Sequence, residues 1–495
     1  MLKKRGTQAI LIPGTSGDDT LIGTPDDDTI DAGAGNDTLI GEGGTDTLIG
    51  GTGNDNYRVE TMDDIIVEAV GEGIDAAYAV TGYVLRAGAE VETLSAIDPN
   101  SAGDMDLTGN EFANTLIGTA GSNTLIGGGG ADVLAGGGGR DYYRVEEAAD
   151  EILEYAGGGF DSVYATTSYT LRAGYEIELL AALGAPPQQG RFTLTGNEYA
   201  NTIIGSTGGD HLIGGGGDDV MAGGLGNDDY RIEESGDVIL EYANGGFDQA
   251  FVGALVGSWA VRPGISVEEI RAIDVNSTVT LDLTGNEFNQ TIVGSAGSNT
   301  IIGGGGVDIL YGFGGNDFFR VENSGTSVVE AGGGGTDAVY ATVSYALSVN
   351  ASVELLQAID PFSTAAINLA GNGNSQTLIG NAGINQLTGG SGADVFAFIS
   401  PLGPGNIDVI TDMVSGTDLI VIDNAQFTGM AEGLLAAGAF VLGSAALDAD
   451  DRILYNQATG AVYFDADGNG TAAAAVQFLT LQTMPAIVAT DFFVL

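Results

Sequence analysis

The chain of 495 residues contains no cysteine, one histidine (His211), and 14 lysines plus arginines against 67 aspartates plus glutamates. Each shortage removes a class of protein. Without cysteine there is no disulfide framework, no thiolate metal site and no thiol nucleophile, which fits an exported protein that does not rely on disulfides. With a single histidine no HExxH zinc site can be written, and no GxSxG turn occurs. A formal charge of −53 leaves no basic face to neutralise phosphates, so nucleic acid is not a natural partner, and an anionic membrane surface repels the chain. No stretch reaches the apolar length of a transmembrane helix. The first residues carry only the four-residue apolar run Ala9 to Ile12, too short for a secretory leader. Glycine is abundant, at 83 residues, but without a Gly-X-Y period, which excludes collagen.

What is present is periodic. From Gly14 to Val59 the chain reads, nine residues at a time, TSGDDTLIG, TPDDDTIDA, GAGNDTLIG, EGGTDTLIG, GTGNDNYRV. Asp19, Asp28, Asp37, Asp46 and Asp55 recur every nine residues, and two places after each stands Leu21, Ile30, Leu39, Leu48 or Tyr57. Nine fits half a coil of a solenoid: a glycine turn, then a short strand. Counting the aspartate as the sixth place, glycines at the first, second and fourth supply the positive φ angles of a tight turn. The large apolar residue at the eighth place points inward and its neighbours outward. Turns eighteen residues apart then stack about 4.8 Å from each other, which sets Asp19 above Asp37 and Asp28 above Asp46. Stacked carboxylates repel unless a hard cation lies between them, and carboxylate with carbonyl oxygen is a Ca²⁺ ligand set.

The unit resembles the RTX (repeats-in-toxin) nonapeptide GGxGxDxUx; Gly50-Gly51-Thr52-Gly53-Asn54-Asp55-Asn56-Tyr57-Arg58 matches at every fixed place if tyrosine counts as the large apolar residue. The resemblance implies an all-β, right-handed parallel β-roll or β-helix solenoid binding several Ca²⁺ ions. At the aspartate place later blocks carry Asn114, Asn123, Asp132, Asp141; Asn201, Asp210, Asp219, Asp228; Gln290, Asn299, Asp308, Asp317; and Gln376, Asn385, Asp394. Asn and Gln can form amide ladders without a metal, so each block is expected to begin metal-free and end in calcium sites. The predicted metal ligands are Asp19, Asp28, Asp37, Asp46, Asp55, Asp132, Asp141, Asp210, Asp219, Asp228, Asp308, Asp317 and Asp394.

A longer period overlies the short one. Tyr57-Arg58-Val59-Glu60, Tyr143-Arg144-Val145-Glu146, Tyr230-Arg231-Ile232-Glu233 and Phe319-Arg320-Val321-Glu322 recur at intervals of 86, 87 and 89 residues. The aromatic falls at the inward eighth place. The arginines either line up to bind an acidic glycan or pair with Glu60, Glu146, Glu233 and Glu322, and pairing is favoured. The organisation read from this is an N-terminal segment 1–13, nonapeptide blocks 14–59, 110–145, 197–232, 286–321 and 372–398, and inserts 60–109, 146–196, 233–285 and 322–371. The inserts alternate apolar and polar residues with few helix signals. They read as longer, calcium-poor coils of the same solenoid, or else as small β domains protruding from it.

Residues 399–495 resemble the β-rich C-terminal domain of serralysin-type and related type I secretion substrates, and Asp491-Phe492-Phe493-Val494-Leu495 resembles their terminal signal. That implies a capping and secretion domain, the type I exporter as a partner, and release to the surface of a Gram-negative bacterium. Asp465 to Thr471 begins like an EF-hand loop but has Val476 at the twelfth place, so it reads as a turn. His211 occupies the outward seventh place, where other repeats have mostly Thr or Val, and reads as a surface substitution. A pair of acids suffices for glycoside hydrolysis, but no pair stands out, and the chain is read as having no enzymatic activity.

The expected function is a secreted structural protein that folds on extracellular calcium and self-assembles, head to tail through an open solenoid end, into a surface layer, filament or matrix. The alternatives are a calcium-rigidified adhesin, a glycan- or ice-binding module with a cell-surface polysaccharide as partner, and, less favoured, a polysaccharide-modifying enzyme.

Overall fold

The computed structural model describes residues 9–184 and 191–495. Residues 1–8 of the predicted N-terminal segment lie outside the described residues. The chain divides into two compact units, Met1–Asp248 and Gln249–Leu495. Among the described residues the only helical segments are three single 3₁₀ turns, Ala254–Val256, Ala437–Ala439 and Ala489–Asp491. Among the described residues no helix is long and apolar enough to cross a membrane.

In the first unit the strands Thr20–Ile22, Thr38–Ile40 and Asn56–Val59 stack in parallel, with Leu21 beside Leu39 and Leu39 beside Tyr57. The intervening strands Leu11–Pro13, Thr29–Ala34, Thr47–Thr52 and Ile65–Val67 form a second parallel sheet, with Ile30 beside Leu48. Successive nonapeptides thus alternate between two sheets, and two of them make a coil. The alternation of side chains along each short strand buries the eighth place: Ile30, Leu39, Leu48, Tyr57, Leu116, Leu125, Leu134 and Tyr143 are wholly inaccessible. In the second unit Ile292, Ile301, Leu310, Phe319, Leu378, Leu387 and Phe396 do the same. The aromatic of each long repeat is therefore core.

The inserts continue the same ladders in parallel. Asn56–Val59 pairs with Ala76–Ala79, that strand with Thr93–Ala96, and that with the next nonapeptide strand Thr115–Ile117. In the second unit Phe318–Val321, Ala338–Ala341, Leu355–Ala358 and Thr377–Ile379 repeat the arrangement. Their longer coils are fastened by the Leu-Thr-Gly-Asn motif that closes the first three inserts and by Leu369-Ala370-Gly371-Asn372 in the fourth. The amide of buried Asn110 donates to the carbonyls of Arg86 (2.9 Å) and Ala89 (2.7 Å), and Asn286 does so to Arg262 (2.9 Å) and Ile265 (2.8 Å). The marker arginines pair with their neighbours, Arg58 with Glu60 at 3.0 Å, Arg144 with Glu146 at 2.7 Å, Arg231 with Glu233 at 2.9 Å and Arg320 with Glu322 at 2.5 Å.

Beyond Phe398 the parallel pattern gives way. Leu419–Ile422 still pairs in parallel with Val395–Phe398 and with Phe492–Val494, but Ile453–Asn456, Ala461–Phe464 and Val476–Leu481 run antiparallel. Phe427 sits edge-on to Phe464 and Phe478, with ring centroids 5.3 and 4.8 Å apart. Asp491 is buried and accepts from the Ser415 hydroxyl (2.7 Å) and the N–H groups of Gly416 (2.9 Å) and Val488 (2.8 Å), which docks the terminal strand. In the Asp465 turn the Asp467 carboxylate accepts the Ala472 and Ala473 N–H groups at 2.8 and 3.2 Å, the bonds of a closed turn.

Candidate metal centres

The sixth-place side chains form ladders along the turns. The N–H of each sixth residue donates to one carboxylate oxygen, Oδ1, of its counterpart one coil later: Asp19 to Asp37 (2.7 Å), Asp28 to Asp46 (2.8 Å), Asp37 to Asp55 (2.7 Å), Asn114 to Asp132 (2.7 Å), Asn123 to Asp141 (2.7 Å), Asn201 to Asp219 (2.7 Å), Asp210 to Asp228 (2.6 Å), Gln290 to Asp308 (3.0 Å), Asn299 to Asp317 (2.7 Å) and Gln376 to Asp394 (2.8 Å). Sequence reasoning placed these aspartates above one another but did not anticipate that one oxygen of each is committed to the backbone.

The fate of the other oxygen divides the turns into two kinds. Oδ2 of Asp37, Asp46, Asp55, Asp132, Asp141, Asp219, Asp228, Asp308 and Asp317 is buried and has no protein partner. In each of these turns the second residue has a positive φ: Gly33, Glu42, Gly51, Gly128, Gly137, Gly215, Gly224, Gly304 and Phe313. That backbone turns its N–H away from the carboxylate. Glu42 and Phe313 hold this conformation, at φ 68° and 75°, despite the cost to a residue with a Cβ. The first-place glycine is needed for a different reason. A Cβ on Gly41, Gly127, Gly214, Gly303 or Gly389 would run into Oδ2 of Asp46, Asp132, Asp219, Asp308 or Asp394. A buried carboxylate oxygen without a donor is costly. Burial pushes Asp46, Asp132, Asp228 and Asp308 up to about 6 and Asp219 and Asp317 up to about 7, and it raises Asp55, Asp141 and Asp394 as well. A cation is what such oxygens fit.

In the second kind of turn the second residue has an ordinary φ and its N–H points at the carboxylate. Asp19 accepts from Thr15 N–H (2.6 Å) and hydroxyl (2.8 Å), Asp28 from Thr24 N–H (2.7 Å) and hydroxyl (2.8 Å), and Asp210 from Ser206 N–H (2.5 Å). For Asp28 burial acts upward, but the N–H groups of Ile10 and Thr24 and the Thr24 hydroxyl hold the carboxyl below its ordinary value. These three carboxylates have no buried oxygen left over, unlike the nine above. The Asn and Gln turns are also of this kind. Their amides do not form the ladders expected from the sequence: Asn114, Asn201 and Gln290 donate to the main-chain carbonyls of Val91 (2.7 Å), Ile177 (2.6 Å) and Val267 (2.8 Å). Gln376 and Asn385 donate instead within their own turn, to the side-chain oxygens of Asn372 (3.0 Å) and Asn381 (2.9 Å).

The carboxylate ladders also run on into the inserts, which the nonapeptide count missed. Asp55 N–H donates to Asp75, and Asp75 N–H to Glu92, at 2.7 and 2.6 Å; Asp141, Asp161 and Glu178 repeat this at 2.8 and 2.6 Å, and Asp317, Asp337 and Glu354 at 2.8 and 2.7 Å. The signal available was the glycine four places before Asp75, Asp161 and Asp337. His211 lies half-buried with Nδ1 3.7 Å from Asp229, itself paired with Arg191, and burial with the nearby cations lowers its pKa.

A parallel β-solenoid whose turns carry orphaned carboxylates is a calcium-binding scaffold. The family model described as the RTX calcium-binding nonapeptide repeat (4 copies) matches residues 13–48, 22–57, 108–143, 195–230, 284–319 and 370–397. The chain carries RTX calcium-binding nonapeptide repeats, and it is a calcium-binding β-roll protein. A search of curated proteins found no match to it.

Proposed function

We propose that this is a secreted structural protein that folds on extracellular calcium and self-assembles into a surface layer, filament or matrix on a Gram-negative bacterium. The ions are assigned to the turns with an orphaned Oδ2, at Asp37, Asp46, Asp55, Asp132, Asp141, Asp219, Asp228, Asp308 and Asp317, with Asp394 as a further ligand. Calcium supplies the positive charge that lets these carboxylates stay ionised while buried. The chain's own residues hold Oδ1 on the backbone and aim Oδ2 into a turn that glycine keeps clear.

The observation that carries self-assembly is an unpaired edge. Among the described residues Leu11–Pro13 has a ladder partner on one side only, and Leu11 is 65% exposed. Such an edge is a template for another chain. Export fits the C-terminal strand: Phe492–Val494 is locked into a sheet once folded, so an exporter reading it must take the chain unfolded. Stacked aromatic pairs on the outer faces, Tyr142 on Tyr164 (4.6 Å) and Phe318 on Tyr340 (4.5 Å), favour glycan binding as the second reading. Electron microscopy and sedimentation with millimolar calcium and with chelator test the proposal. Ordered polymers only with calcium support it. Monomers in calcium at all concentrations overturn assembly and leave the glycan-binding module.

A further inference from the structure

Where each nonapeptide block meets its insert, the coil lengthens from eighteen residues to twenty, between Asp55 and Asp75, Asp141 and Asp161, and Asp317 and Asp337. At each junction a glutamate enters from inside the coil, seven residues before the later aspartate: Glu68, Glu154, Glu241 and Glu330. All four are buried to 2% exposure or less. Ligand oxygens of Asp55, Glu68 and Asp75 lie within 4.8 Å of one another, as do those of Asp141, Glu154 and Asp161, and of Asp228, Glu241 and Asp248.

These are not charges sharing solvent. Oδ2 of Asp55, Oε1 of Glu68 and Oδ2 of Asp75 are buried without a protein partner, as are Oδ2 of Asp141 and Oδ2 of Asp228. Oε2 of each glutamate is held by the core tyrosine: Tyr57 Oη donates to Glu68, Tyr143 Oη to Glu154 and Tyr230 Oη to Glu241, while Oε1 of Glu154 and Glu241 accepts the N–H of Tyr155 (3.1 Å) and Tyr242 (3.0 Å). Tyr143 and Tyr230 are themselves fixed, accepting the N–H of Gly136 (2.9 Å) and Gly223 (2.8 Å). A Cβ on Gly50 would strike Tyr57 Oη, Asp55 Oδ2 and Glu68 Oε2 together. At the fourth junction phenylalanine replaces the tyrosine, and Oε2 of Glu330 and Oδ2 of Asp317 are left without partners around the place a Gly312 Cβ would fill.

We infer that the first three junctions each hold a calcium ion of a second kind, bound by three buried carboxylates with a core tyrosine positioning the glutamate, and that this ion fastens the first long coil of the insert onto the last nonapeptide. An ordinary turn contributes stacked aspartates at its rim. The junction adds a third carboxylate from the interior, so its ion is better dehydrated and more highly charged around, and is released last. The inference rests on the calcium-folding reading above and extends it to residues outside the nonapeptides.

The test uses the full chain. Calcium is counted by equilibrium dialysis for the wild type and for Glu68→Gln/Glu154→Gln/Glu241→Gln, and the expected result is a loss of the three most slowly released ions. Because that variant risks misfolding, a second one, Tyr57→Phe/Tyr143→Phe/Tyr230→Phe, copies the natural Phe319 and is measured with Tb³⁺ in a Trp259→Phe background. Tyrosine-excited Tb³⁺ emission falls several-fold while the number of bound ions is kept. Unchanged emission in the Phe variant, or equal ion counts and release rates in a folded Gln variant, overturns the junction sites while leaving calcium folding intact. A wild type that takes up no calcium overturns both.

Discussion

At the scale of single residues, the second place of each nonapeptide decides what its aspartate does. Ser206 caps Asp210 in a turn that otherwise has the glycines of a cation turn at its first and fourth places. Ser206→Gly is expected to let the backbone adopt positive φ, free Oδ2 and add one bound calcium ion by titration calorimetry. Asp219→Asn works in the other direction. With calcium present it removes an ion and lowers the unfolding midpoint. In chelator the same variant is as stable as the wild type or more so, because a buried charge has gone. Equal destabilisation in both conditions would show that Asp219 holds no ion. Asp408 is a purely protonic case: it is buried, accepts the Asn385 N–H at 2.7 Å, and burial pushes it up to about 7. Its raised value gives stability that is complete below the ordinary carboxylate range near pH 4 and lost as pH rises through about 7. Asp408→Asn keeps the acceptor and drops the charge, so it stabilises by on the order of 2 kcal/mol at pH 8. At pH 4, where the carboxyl is protonated anyway, the gain disappears, and equal denaturation midpoints there are the check.

At the scale of the strand, three or four residues cannot form a stable element alone. What stabilises each is the column of eighth-place side chains. Leu212 lies between Leu194 and Tyr230 in register, and all three are fully buried. Leu212→Ala is expected to cost about 2–5 kcal/mol in denaturant unfolding with calcium, through lost burial and the cavity left behind. Thr202→Ala, at an outward place, stays within about 0.5 kcal/mol. A comparable loss at Thr202 would mean that the outward face is packed against something the ladder does not include.

At the scale of the molecule, the charge of −53 and the buried carboxylates act together. Self-repulsion opposes compaction, and the orphaned oxygens make the metal-free fold expensive. Chelation is therefore expected to abolish the β-sheet circular dichroism and expand the hydrodynamic radius, and millimolar calcium to restore both. A chain that stays compact in chelator would refute calcium-driven folding. The proposed assembly depends on the same switch, because an unpaired edge exists only once the coils have formed.

Much of this was legible in the residues. A period of nine with a large apolar residue two places after each aspartate dictates a parallel solenoid, since only that geometry buries Leu39 and Tyr57 in one column and Ile30 and Leu48 in the other while stacking the turns. The pairing of Arg58 with Glu60 was readable because both lie on one short strand and its end. Three things were not. That Asp28 and Asp210 are capped while Asp46 and Asp228 are not depends on a backbone angle, and the sequence restricts φ without setting it: Glu42 and Phe313 adopt the glycine conformation. The amides of Asn114 and Gln290 choose carbonyls brought near by the longer insert coils. The meeting of Glu68 with Tyr57 and Asp75 spans eleven and seven residues on different sides of a coil, with no common period. Local pattern determined the coil and its inward face; which oxygens remained without a donor was decided only when one coil settled on the next.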